Sequence, residues 1–119
     1  MWYSTHSTGI KQFDEDHLKI DSIIKDVARA TEPVAEHELL EELYNAVTAH
    51  LKNKEGAPNF DYLLEEQLRD KFFLQRLRGK ISERENGQLS KLNLIRDLHQ
   101  MLADHVFYNI MKREKRDNS

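Results

Sequence analysis

Cysteine is absent from the 119 residues. No disulfide framework, thiolate metal site or thiol nucleophile is therefore available, and the composition suits a reducing compartment. Proline occurs only at Pro33 and Pro58, and glycine only at Gly9, Gly56, Gly79 and Gly87. Period-2 runs of β-branched residues longer than a few positions are missing, which removes the usual strand signal. No apolar run approaches the ~18 residues that would span a bilayer, and no charged-then-apolar leader ends in a small-residue cleavage site. The expectation is a cytoplasmic protein with no membrane partner. An excess of one charge is lacking too: 18 Lys and Arg against 21 Asp and Glu leave a net charge of −3. That balance disfavours nucleic-acid binding, which rests on phosphate neutralisation. With no phosphate-binding glycine loop and no Ser, His and Asp arrangement for nucleophilic catalysis, enzyme activity is not expected.

What remains is a chain that is 39% hydrophobic and 33% charged, enough for one core under a wetted surface. Its few breakers cut it usefully, at Glu32-Pro33, Gly56-Ala57-Pro58 and Asn86-Gly87. The four segments between them are rich in Leu, Glu, Lys, Arg and Ala. Helices are predicted over about Asp14 to Ala30, Pro33 to Lys54, Phe60 to Ile81 and Leu89 to Arg113. The highly charged stretch Lys112 to Ser119 is expected to fray, so the domain is read as 1–113 with a tail over 114–119.

Each segment carries an apolar stripe at spacings of three and four. In the first it is Phe13, His17, Ile20, Ile24, Val27 and Thr31, with Asp14, Glu15 and Asp16 placed where the helix dipole favours negative charge. In the second it is Leu40, Leu43, Val47, His50 and Lys54. The third places Leu63, Glu66, Asp70, Phe73 and Leu77 on one line, flanked by Phe60, Leu74 and Ile81. The fourth places Leu92, Ile95, Leu98, Leu102, His105 and Asn109. Short connections between such helices predict an all-α, antiparallel up-down four-helix bundle. Phe72, Phe73, Phe107 and Tyr108 are read as packing residues, Tyr44 and Tyr62 as rim residues, and Glu41-Glu42 as a solvated face.

Of six histidines, His6 lies in the N-terminal arm, and His37 and His99 fall off the stripes. His17, His50 and His105 each sit on the buried stripe of a different helix. One buried imidazole is usually a hydrogen-bonded core residue. Three facing one interior compete for few partners, and a metal ion satisfies one nitrogen of each. Glu66 and Asp70 on the third helix complete a mixed nitrogen and carboxylate shell that suits iron, manganese or zinc.

At this point the sequence resembles the bacterial hemerythrins. Their N-terminal pattern of a tryptophan, a Gly-Ile pair and an acidic stretch ending in histidine reads here as Trp2, Gly9-Ile10 and Phe13-Asp14-Glu15-Asp16-His17. The fourth-helix pattern reads Met101-Leu102-Ala103-Asp104-His105-Val106, and His50-Leu51 is similar to the second-helix His-Phe. The resemblance spans Trp2 to about Arg113 and implies the four-helix bundle, non-haem iron, and dioxygen binding, storage or sensing.

The family's two irons are held by five histidines, a glutamate and an aspartate. Here the expected glutamate is Lys54, next to Glu55. The third-helix His-x-x-x-His pair is Glu66 and Asp70 if Phe73-Leu74 aligns with the family's Phe-Leu, or Glu65 and Arg69 one residue earlier. The direction of the apolar face favours the first. The expected aspartate is Ile110, preceded by Asn109. Both bridging carboxylates are thus absent from their positions. The metal ligands expected are His17, His50, Glu66, Asp70 and His105, with one or two irons, zinc or an empty pocket as outcomes. The alternative is a metal-free bundle serving as a protein-interaction or regulatory module, with Lys54 paired to Glu66 or Asp70. A small ligand such as dioxygen, a monomer or weak oligomer, and on the second reading a protein partner, are the expected associations.

Overall fold

The computed structural model describes residues 11–55 and 64–117, with side chains described over 13–55 and 64–106. These residues form four helices: α1 (Lys11–Arg29), α2 (Pro33–Glu55), α3 (Leu64–Glu85) and α4 (Lys91–Asp117). No strand occurs among the described residues. The calls made on Trp2, Gly9-Ile10, Phe60, Tyr62 and Leu63 lie outside them, as do those on the side chains of Phe107, Tyr108, Asn109 and Ile110.

The chain chemistry explains where the helices start and stop. Pro33 opens α2, where its fixed φ and missing N–H cost nothing. α3 runs to Glu85, four residues beyond the expected Ile81. It ends at Gly87, whose φ of 75° is natural only for glycine. Gln88 N–H donates to Glu83 O at 2.8 Å and Gly87 N–H to Arg84 O at 3.2 Å, the paired bonds of a Schellman stop. Ser90 caps α4 through its hydroxyl, which accepts from Asn93 N–H at 3.2 Å. α4 continues to Asp117, through most of the stretch expected to fray.

α1 packs on α2 and α4, and α3 packs on the same two helices. The enclosed core holds Ile20, Ile23, Ile24 and Val27 from α1, and Leu40, Leu43, Val47 and Leu51 from α2. α3 adds Leu77 and Ile81, and α4 adds Leu94, Leu98, Met101, Leu102 and Val106. The expected stripes hold in α1 and α2, except that Thr31 lies beyond the end of α1 and is exposed. The fourth stripe needs correction at its start. Leu92 is 80% exposed and Leu94 is fully buried, because the Ser90 cap sets the helix phase and directs Leu92 outward. Phe72 is also corrected, since it is 64% exposed rather than packed. Phe73 is half-buried against the core.

Ion pairs close the helix junctions. Arg84 donates to both carboxylate oxygens of Glu36, at 2.9 and 3.2 Å, and to Leu89 O at 3.1 Å. Lys91 reaches the same Glu36 at 3.6 Å and donates to Ala30 O at the end of α1. Two connections, α1–α2 and α3–α4, are thereby tied to one buried carboxylate.

Candidate metal centre

Opposite that junction the interior is polar. α1 contributes Asp16 and His17, α2 His50 and Lys54, α3 Glu66 and Asp70, and α4 His105. The pairs His50/Lys54 and Glu66/Asp70 are each four residues apart, so one helical face carries both members. His17, His50, Lys54, Glu66 and Asp70 are all buried, and Lys54 is 0% exposed. The His105 side chain is 8% exposed. Glu65 and Arg69 are exposed, so the third-helix register that faces inward is Glu66 and Asp70.

One ring nitrogen from each of His17, His50 and His105 lies within 4.8 Å of the others. His17 Nε2 and His50 Nε2 are 3.1 Å apart. The ring centres of His105 stand 5.9 Å from His17 and 5.7 Å from His50. His50 Nδ1 lies 3.0 Å from Asp16 Oδ2. A carboxylate only accepts, so the Nδ1 proton sits on His50 and its Nε2 lone pair faces His17. A histidine oriented in this way by an outer carboxylate is the usual arrangement around a bound metal.

Burial keeps these imidazoles neutral. His17 is lowered to about 3, first by desolvation, then by the charges of His50 and Lys54. Desolvation and the Lys54 charge hold His105 well below its usual value. His50 is lowered by desolvation, against the hydrogen bond to Asp16 that raises it. Neutral imidazoles retain the lone pairs that a transition metal needs.

The carboxylate side differs. Lys54 Nζ donates to Asp70 Oδ2 at 2.9 Å and Oδ1 at 3.2 Å. It lies 3.5 Å from Glu66 Oε1 and 3.5 Å from His105 Nε2. His105 Nδ1 stands 3.6 Å from Asp70 Oδ1, and the Phe73 ring packs on His105 with centres 4.9 Å apart. Three imidazoles fit one ion. The two-ion set that the resemblance implies does not fit, because an ammonium stands among the carboxylates that would hold the second. A cleft of about 220 Å³ between α3 and α4, flanked by Arg69 and Arg76, reaches Asp70 and His105 from the surface.

All five expected ligands therefore belong to one cluster, with Glu66 reached through Lys54. Sequence reasoning missed the orienting role of Asp16, which it read only as first-turn charge; Asn53 Nδ2 donates to the same oxygen at 3.0 Å. The signal was there: Asp16 precedes His17, and Asn53 lies one turn beyond His50. His99, off the stripe as expected, lies 3.5 Å from buried Asp21. A second group, His37, Glu41 and Glu85, sits at the surface and is closed by its own contacts, His37 to Glu85 at 2.6 Å and Arg78 to Glu41 at 2.7 Å. Compared with protein-family models, curated proteins and solved structures, the chain returns no match.

Proposed function

We propose that the chain is a hemerythrin-like bundle that binds a transition-metal ion at His17, His50 and His105, with Glu66 and Asp70 as the acidic side of the pocket. The observation that carries this reading is the convergence of three buried imidazoles from three helices within 4.8 Å. Iron, and with it dioxygen binding, storage or sensing, comes from the resemblance alone. The antiparallel up-down course belongs to the same reading. It is supported by pairs such as Asp16 with Asn53, Glu36 with Arg84, and Lys80 with Asp97, each joining the early part of one helix to the late part of its neighbour.

The test is elemental analysis of protein purified without added metal, followed by thermal unfolding with ferrous iron, cobalt or zinc. Metal should co-purify, and the unfolding midpoint should climb with added ion. An ion at 100 times its Kd adds about 2.7 kcal/mol. His50→Gln should abolish the climb. No bound metal and no midpoint shift with any of the three ions would overturn the proposal.

A second reading is a metal-free interaction module. The Lys54–Asp70 pair favours it, since an ammonium balances buried acid without metal. So does the line of Leu64, Leu68 and Phe72 on α3, which are 70, 50 and 64% exposed at successive turns. Under this reading none of the three ions moves the midpoint, and a protein partner covers that line.

A further inference from the structure

Lys54 sits one turn after His50 on the buried face of α2, closed from solvent along its whole length. Among the described residues its Nζ faces two oxygens of Asp70 at 2.9 and 3.2 Å, Glu66 Oε1 at 3.5 Å and His105 Nε2 at 3.5 Å. Three oxygens and one nitrogen form the mixed shell that would otherwise take a divalent cation. These distances belong to hydrogen bonds and ion pairs; metal bonds to the same atoms would be about 2.0–2.2 Å.

We propose that the Lys54 ammonium stands in for a second metal ion, leaving a one-ion site at His17, His50 and His105. The inference deepens the metal-binding reading and rests on it. An ion held between Glu66 and Asp70 would compete for the space that the ammonium fills, and like charges in a dry site repel strongly. On the histidine side the ammonium reaches His105 Nε2 at 3.5 Å, while His17 Nε2 and His50 Nε2 face each other at 3.1 Å. One ammonium and two carboxylates leave one formal negative charge beside the imidazoles, which favours a cation there. The chemistry is also asymmetric in strength: neutral imidazole suits a transition metal, and an ammonium satisfies hard carboxylate oxygens. His105 stands at the boundary, with Nε2 toward Lys54 and its ring against both other imidazoles.

Metal counting decides it. Wild type and Lys54→Glu are loaded with cobalt(II), and separately with ferrous iron without oxygen, then desalted and analysed for ions per chain. Wild type should hold one ion, and Lys54→Glu, which removes the ammonium and supplies a carboxylate, should hold two. Wild type with two ions overturns the inference and leaves metal binding standing. Wild type with none overturns both. A folded Lys54→Glu that still holds one ion overturns the role given to Lys54. Should Lys54→Glu fail to fold, the wild-type count still decides between one ion and two.

Discussion

Where α1 ends and α4 begins, Val27, Leu40, Ile81 and Leu94 fill the interior with no exposure at all, and the charges stay at the rim, in the Glu36, Arg84 and Lys91 cluster. Toward the other end the arrangement is inverted. His17, His50, Lys54, Glu66 and Asp70 occupy the interior, and Leu68 and Phe72 lie outside. Burying charge is costly, and a buried ion pair is often no more stable than apolar residues of the same size. A bundle that needed only stability would repeat its apolar end twice. On the metal-binding reading proposed above, the polar end is the part kept for chemistry and the apolar end the part that keeps it folded.

Substituting Lys54 should sharpen that contrast most. In metal-stripped protein, Lys54→Met leaves buried Asp70 and Glu66 without the ammonium. The expected loss is about 3–5 kcal/mol, measured as the fall in urea midpoint. A loss under about 1 kcal/mol would mean the polar end does not depend on its internal pair.

Leu94→Ala is the counterpart at the apolar end. Removing a fully buried leucine costs about 2–5 kcal/mol through lost burial and the cavity left. Unlike Lys54→Met, it should leave metal stoichiometry unchanged. A change in bound metal would break the division between the two ends.

Acid should separate the ends next. The folded His17 is lowered to about 3 from 6.5. The unfolded chain therefore binds a proton that the native state refuses as pH falls below 6.5, and stability drops until about pH 3. At pH 5 the loss from His17 alone is about 2 kcal/mol, and His50 and His105, also lowered, add to it in the same direction. Urea unfolding of the metal-stripped protein from pH 7.5 to 5 checks this. A flat profile would show that the imidazoles are not held neutral.

The smallest effect belongs to the surface. Arg78 pairs with Glu41 at 2.7 Å and stacks 4.1 Å over the Tyr44 ring, yet the pair is well exposed. Glu41→Gln should cost under about 1 kcal/mol, and less in high salt. A thermal-shift series against ionic strength measures it.

The helical class, the breaks at Pro33 and at Asn86-Gly87, and the stripes of α1 and α2 were legible because periodicity and breaker residues act locally; the break expected at Gly56-Ala57-Pro58 lies outside the described residues. The start of the α4 stripe was not. Leu92 and Leu94 are equally apolar in the sequence, and only the phase set by the Ser90 cap decides which one enters the core. Histidines on three different stripes were visible as a pattern, and so was Lys54 in line with His50. Asp16 was hidden because a carboxylate expected in a first helical turn has a sufficient local explanation; α1 starts at Lys11, which puts Asp16 in the second turn and leaves Asp14 alone in the first.

The sequence by itself determined that there would be four helices, which faces of α1 and α2 would turn inward, and that three imidazoles would sit on inward stripes, with Glu66 and Asp70 favoured over Glu65 and Arg69. Those follow from spacing along each chain segment. Only the tertiary structure decided how they pair. Lys54 takes both oxygens of Asp70 and stays farther from Glu66, His50 meets His17 while Asp16 holds its other nitrogen, and His105 stands between the two groups. Such pairings depend on how far each helix slides and turns against its neighbours. That is fixed by core packing summed over all four helices, and no single segment encodes it.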